Sequence, residues 1–294
     1  MKRFEDYARG LANENLDKYT SFKIGGPAEF VLFPKDEGGL IECLKILKHD
    51  NIPYIILGNG TNVLVSDEGF KGAVIILRNT LNSISIDGNI VTAGAGATLR
   101  DVANFILENS LTGFEFAHGI PGTVGGGVIM NAGAYDGELK NVVRSVRLLD
   151  NDLNIRTFSN EEMLFGYRKS IAQDKNYIIL SAEFELQEGD KALIKEKMDD
   201  FWNRRVTKQP LDMPSAGSTF RRPEGYFAGK LIDDSGLRGF RHGNCGISEK
   251  HCGFVVNYGG ATAKEVKETI EIVQKVVFDN FGVLLKREVK FIGD

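Results

Sequence analysis

Six of the seventeen residues in GIPGTVGGGVIMNAGAY, positions 119–135, are glycine, and a second glycine turn, ILGNGTN, lies at 56–62. A glycine lacks a Cβ, so a ligand can approach its main chain closely. Successive exposed amides form concave nests that suit phosphate oxygens, and one diphosphate would account for both stretches. The competing reading is that these glycines only make tight turns and bulges between strands. GNGTNV and GAGATL (94–99) each begin G-x-G but have no third glycine, so neither is a dinucleotide fingerprint. No G-x-x-x-x-G-K-[ST] occurs, which argues against a nucleoside triphosphatase of that kind. A further cluster, His242-x-x-Cys245 and His251-Cys252, invites a zinc reading. Adjacent His251 and Cys252 point to opposite faces if extended, and only one tight pair has ligand-like spacing, so the expectation is no metal.

The elements around these turns read as a mixture of helices and strands. AEFVLFP (28–34) is a strand stopped by proline, and 37–51 places Leu40, Cys43, Leu44 and Leu47 at helical spacing. PYIILG, NVLVS and GAVIIL read as short strands of a small α/β unit. SISID, a turn at Gly88-Asn89 and IVTAG read as a hairpin. A helix follows at 99–110, then strands at 142–149, 154–158 and 177–186, with QEGD (187–190) as a linker. The last third carries a polar helix at 191–206, a Pro/Gly/Ser loop, the strand GFVVN and a long helix at 263–281. The stripe of that helix is Val266, Ile270, Val273 and Val277, and VLLKREVKFIG reads as a final strand. The fold class is therefore α+β, in three parts: 1–80, 81–188 and 189–294.

The chain has 294 residues and a net charge of −4, which gives no electrostatic footprint for nucleic acid. No apolar run approaches a membrane span, and no secretory signal is recognised at the start. Three cysteines make no paired framework and suit a reducing compartment. The expectation is a cytoplasmic enzyme, monomeric, meeting neither nucleic acid nor membrane.

Eight blocks occur in a fixed order: SFKIGGPAEF, LGNGTNVLVSD, GFEFAHGIPGTVGGGVIMNAGAY, YRKS, KQPLDMPSAGSTFRRP, FAGKLID, KHCGFVVN and REVKFIG. Together they resemble the UDP-N-acetylenolpyruvoylglucosamine reductase family over nearly the whole chain. The resemblance implies a two-part FAD-binding domain of the vanillyl-alcohol-oxidase type (1–80 and 81–188). It also implies a C-terminal substrate-binding domain (189–294) whose last strand returns to the active site. The implied reaction uses NADPH and bound FAD to reduce UDP-N-acetylglucosamine enolpyruvate to UDP-N-acetylmuramate, a step of peptidoglycan precursor synthesis. A hydride reaches the β-carbon of the enolpyruvyl ether and an acid protonates the α-carbon.

Three catalytic residues are implied by matching positions. Arg168 in GYRKS stabilises the substrate carboxylate, Ser218 in SAGSTF donates the proton, and Glu288 in KREVKFIG works with both. Strand alternation would place Glu288 on one face with Lys286 and Lys290. Without the resemblance, these three read as a surface ion pair, a turn hydroxyl and a solvated strand face. The resemblance assigns the cofactor to Gly58, Asn59, Gly60, Thr61 and Asn62 in the first turn. In the second it assigns Gly119, Ile120, Pro121, Gly122, Thr123, Gly126, Asn131, Ala132 and Gly133, with Arg205 facing the flavin or its phosphates. Tyr167, Lys208, Arg222, Arg238 and His251 fall on the substrate side. The stretch 221–252 between SAGSTF and GFVVN is compact, which matches the shorter class of the family, without a tyrosine-bearing closing loop. Two rivals remain at this level: another oxidoreductase on the same FAD fold, and a nucleotide-sugar binding protein without flavin.

Overall fold

The computed structural model describes residues 1–293. In chain order the first elements are β1 (Ala8–Asn15), β2 (Pro27–Pro34), α1 (Glu37–His49), β3 (Tyr54–Leu57), β4 (Val63–Val65) and β5 (Phe70–Ile76). Then come β6 (Ile84–Asp87), β7 (Ile90–Gly94), α2 (Leu99–Glu108), β8 (Leu111–Thr112) and α3 (Val124–Met130). They are followed by β9 (Gly133–Ala134), β10 (Gly137–Glu138), β11 (Val143–Leu149), β12 (Ile155–Ser159), α4 (Ile171–Lys175), β13 (Ile178–Glu185) and β14 (Gln187–Glu188). The last are α5 (Lys191–Lys208), α6 (Ala228–Asp234), β15 (Arg241–His242), β16 (Cys245–Ile247), β17 (Val255–Asn257), α7 (Ala263–Phe281) and β18 (Lys290–Ile292).

The chain forms two compact units that interleave in sequence. The first holds residues 1–11, 30–59 and 73–205; the second holds 12–29, 60–72 and 206–294. In the first unit β3 and β5 pair in parallel, with Tyr54 opposite Ala73. A five-stranded antiparallel sheet has the order β12-β11-β13-β7-β6. Its core includes Val91, Val146, Leu148, Phe184 and the helix residues Leu99 and Val102, none of them exposed. α2 begins where Thr98 Oγ1 accepts from the Asp101 amide at 3.0 Å, which satisfies one of the open donors of the first turn.

α3 is the element that the sequence pattern hides. Three of its seven residues are glycine, each costing about 1 kcal/mol relative to alanine in a helix. Tertiary contacts offset this cost. Val124 and Val128 are fully buried, and the Val124 and Gly125 amides donate to the Ala97 and Ala95 carbonyls at 2.9 Å each. Small residues let the helix lie close to 95–99: a Cβ at Gly125 would sit 3.1 Å from that of Ala95. The QEGD linker reading is corrected, because Gln187 and Glu188 pair with Thr112 and Leu111 as β14 and β8.

In the second unit, α7 spans Ala263–Phe281 as its periodicity predicts, with Val266, Ile270, Val273 and Val277 buried. Thr262 and Glu265 form a capping box, and Asp67 accepts from the Ala263 and Lys264 amides at 2.7 and 3.0 Å. These bonds satisfy orphan donors, and the carboxylate complements the helix dipole. β15, β16 and β17 form a three-stranded antiparallel sheet against this helix. β18 pairs in parallel with β4, Lys290 opposite Val63. The final strand is shorter than its sequence pattern suggests: it begins at Lys290. No helix among the described residues is long and apolar enough to cross a membrane.

Candidate active site

The first unit brings the two glycine turns together. Asn59 Nδ2 donates to the Pro121 carbonyl at 2.8 Å. A Cβ at Gly58 would lie 2.2 Å from Thr123 Oγ1, so the two turns touch only because that position is glycine. The glycines of the longer stretch divide by purpose. At Gly127 the neighbours Leu139 and Leu99 leave no room for a side chain. At Gly122 and Gly126 the nearest atoms to a Cβ are 3.8 and 3.7 Å away, so the protein's own packing does not require glycine there. A Cβ at either position would make only ordinary contacts.

The polar groups beside these glycines fit a phosphate-bearing cofactor. Asn59 Oδ1 and His118 Nδ1 are buried without a partner among the described residues. Burial of such atoms costs free energy unless a further group satisfies them. Gly119 faces Arg205, whose Cδ would lie 3.1 Å from a Cβ there. Burial lowers the pKa of Arg205 from its ordinary value, Tyr135 opposes this, and Arg100 adds to it. No carboxylate pairs with Arg205 among the described residues. Ile120, Thr123, Ala132 and Gly133 line the same segment; the Asn131 side chain is wholly engaged within the protein.

Arg168 stands at the tip of a tight turn in the same unit. The Gly166 and Lys169 amides each donate to the other residue's carbonyl, at 3.0 and 3.1 Å. Between them Arg168 has φ +54°, a left-handed conformation that costs an arginine about 1–2 kcal/mol. Its Nη2 donates to the Gly133 carbonyl at 3.3 Å, and its guanidinium carbon lies 5.0 Å from the Tyr167 ring centroid. Tyr167 is 51% exposed.

The second unit holds further predicted site residues. Gly60 has φ +58°, and a Cβ there would lie 2.1 Å from the Tyr19 carbonyl oxygen. Segments 219–221 and 286–288 run antiparallel through the Phe220–Arg287 bridge. The Glu288 amide donates to the Thr219 carbonyl at 2.9 Å, so Ser218 and Glu288 sit on adjoining backbone. Asn62 joins them: its Nδ2 donates to the Glu288 carbonyl at 3.3 Å, and its own carbonyl accepts from Lys290 at 3.0 Å. Thr61 approaches Gly217 from the same turn. Thr219 is buried and locked by Gly253 and Val255, whereas Ser218 is exposed. Ser215 is held in a bridge to Val256 instead.

The remaining predicted substrate residues are less uniform. Lys208 is exposed at the last position of α5. Arg222 stacks on Phe227 with its guanidinium carbon 3.9 Å from the centroid. Arg238 is engaged with Asp233 through two bonds and with the Glu249 carbonyl. His251 Nδ1 accepts from the Gly253 amide at 3.0 Å, which places its proton on Nε2. The His/Cys cluster disperses: His242 meets Glu268 and Cys245 meets Thr269. No group of three or more His, Cys, Asp or Glu able to hold a metal stands together among the described residues. Sequence reasoning missed Ser170, whose Oγ donates to the Ile129 carbonyl at 2.8 Å and caps α4. Its signal was present in YRKS, a serine directly before a short helix.

Two histidines give the fold a pH dependence. Burial pushes both His118 and His251 below the usual imidazole range. The unfolded chain therefore binds more protons, so their contribution is complete above about pH 6.5 and is lost as pH falls below it. The urea midpoint is expected to fall between about pH 7.5 and 5.5, and to fall less in His251→Gln. A midpoint constant over that window would contradict the burial of both rings.

Residues 28–159 match a family model described as FAD binding domain, and residues 209–292 match one described as UDP-N-acetylenolpyruvoylglucosamine reductase, C-terminal domain. A UDP-N-acetylenolpyruvoylglucosamine reductase of Clostridium perfringens (strain SM101 / Type A) is 54% identical over 278 residues, 95% of this chain and 91% of that one. The same-named protein of Clostridioides difficile (strain 630) is 51% identical over 282 residues, 96% and 93% of the two chains. The crystal structure of UDP-N-acetylenolpyruvylglucosamine reductase (MurB) from Thermus caldophilus matches with a TM-score of 0.83 and 32% identity, covering 97% of this chain and 98% of that one. The joined glycine turns thus lie within a recognised FAD-binding domain, and the chain belongs to the UDP-N-acetylenolpyruvoylglucosamine reductase family.

Proposed function

We propose that this protein reduces UDP-N-acetylglucosamine enolpyruvate to UDP-N-acetylmuramate with NADPH, a step of peptidoglycan precursor synthesis. Bound FAD supplies the hydride relay between the two substrates. Asn59, His118 and Arg205, beside Gly122 and Gly126, would hold it in the first unit. The observation that carries the reading is the pairing of Ser218 with Glu288 on adjoining backbone, tied to the glycine turn through Asn62.

Each side chain has a defined task. Hydride addition to the alkene pushes charge onto the substrate carboxylate, and the planar Arg168 fork stabilises it. Ser218 gives its proton to the α-carbon, and Glu288 assists both functions. Tyr167, Lys208, Arg222, Arg238 and His251 take the sugar nucleotide; exposed Lys208 has the most freedom to meet a diphosphate. The functional division follows 1–80 and 81–188 for the cofactor and 189–294 for the substrate. The enzyme works as a cytoplasmic monomer without nucleic acid or membrane; a net charge of −4 and three buried free cysteines support this setting.

The test separates the half-reactions without oxygen. NADPH is expected to bleach the flavin of the wild-type protein, and the enolpyruvyl sugar nucleotide to restore its colour within a turnover. A bleached protein whose colour that substrate does not restore overturns the assignment.

A further inference from the structure

We propose that Asn131 is a positioning residue for enolpyruvyl reduction, its carboxamide holding the strained turn that presents Arg168. The inference rests on the function proposed above. Asn131 is fully buried and caps the C-terminus of α3 at φ +42°, a conformation asparagine tolerates better than most residues. Its Nδ2 donates to the Gly166 carbonyl at 3.1 Å and to Glu138 Oε2 at 3.0 Å. Its Oδ1 accepts from the Lys140 amide at 2.9 Å. One side chain thus fastens the glycine helix, the β9–β10 hairpin and the turn at 166–169.

Both ends of Arg168 lead back to this carboxamide. Its backbone is gripped in the turn whose Gly166 carbonyl Asn131 holds. Its head donates to the Gly133 carbonyl, and Gly133 pairs with Glu138, the residue that Asn131 also holds. Ser170 supplies a second tether, from its Oγ to the Ile129 carbonyl in α3. A left-handed arginine persists only where the surroundings fix it, and these two side chains fasten the turn that carries it. The requirement is chemical as well as steric. Only a carboxamide of this length donates to two oxygens and accepts from an amide in one orientation. Asn131→Asp keeps the shape and the Lys140 bond but sets an oxygen against Gly166 and Glu138.

The first measurement needs neither FAD nor substrate. In Asn131→Asp protein, hydrogen exchange at the Gly166 and Lys169 amides is expected to speed up by about tenfold or more, with β13 amides changing less than about twofold. Unchanged protection at both amides overturns the tether. The second measurement uses the FAD-loaded protein. Reoxidation by the enolpyruvyl sugar nucleotide should slow about 10–100-fold more than reduction by NADPH, because Arg168 is displaced from its working geometry. In an Arg168→Lys background the same substitution should add less than about threefold, since its effect passes through Arg168. Full multiplicative slowing in that background overturns the proposal. Where Asn131→Asp does not fold, Ser170→Ala severs the second tether and is held to the same readouts. Wild-type protein that the sugar nucleotide cannot reoxidise defeats the function itself, a separate result from the exchange data.

Discussion

Alanine at position 218 is expected to slow reoxidation by the enolpyruvyl sugar nucleotide by about 10²–10⁴-fold, while NADPH still bleaches the flavin. The size corresponds to about 3–5 kcal/mol of transition-state stabilisation. The geometry makes this a clean substitution. Gly217, at φ +73°, turns the chain just before Ser218, and buried Thr219 anchors it just after. Among the described residues the Ser218 hydroxyl makes no hydrogen bond, so its loss breaks nothing that holds the loop. Stability should therefore change by less than about 0.5 kcal/mol, the usual range for an exposed site. Stopped-flow traces of the two half-reactions decide the matter. If both proceed at wild-type rates, another group delivers the proton; if both slow alike, Ser218 acts on the flavin site rather than on the α-carbon.

Much of the scaffold was legible because it is local. The stripe of α7 and the hairpin β6–β7 follow from spacings of a few residues, and each element formed where its pattern predicts. α3 was not legible, because GTVGGG reads as turn and only contacts with Ala95, Ala97 and Leu99 make it helical. The division of the glycines was hidden for the same reason. Sequence cannot distinguish Gly127, crowded by Leu139, from Gly122, where a Cβ would make only ordinary contact with Leu99.

The site itself was legible mainly through the resemblance. Ser218 and Glu288 are seventy residues apart, and the bridge from Phe220 to Arg287 that aligns them leaves no periodic trace. The paired strand itself begins only at Lys290, two residues beyond Glu288. Nothing in YRKS announces that Arg168 is left-handed, since glycine or asparagine is the ordinary residue there. What sequence could not supply is the set of long-range hydrogen bonds, from Asn131 and Ser170 above all, that make such a backbone affordable.

Arg168→Lys should lose about 10²–10³-fold in the enolpyruvyl step, because a point charge does not replace a planar fork. In the native turn one guanidinium nitrogen already donates to the Gly133 carbonyl, and the head lies against the Tyr167 ring. These contacts fix the direction in which the guanidinium points. A lysine ammonium can satisfy Gly133 or the substrate, but its flexible stem does not orient it for both. Substitution by glycine separates this role from the cost of the turn. Arg168→Gly relieves the left-handed strain and should stabilise the protein by about 1 kcal/mol, while removing the carboxylate partner altogether. A more stable yet crippled variant is the signature of strain kept for catalysis rather than for folding. Single-turnover rates with urea unfolding of both variants test it: full second-step activity in Arg168→Lys would remove the fork from the mechanism. A less stable Arg168→Gly would show that the arginine head, not the backbone, secures the turn.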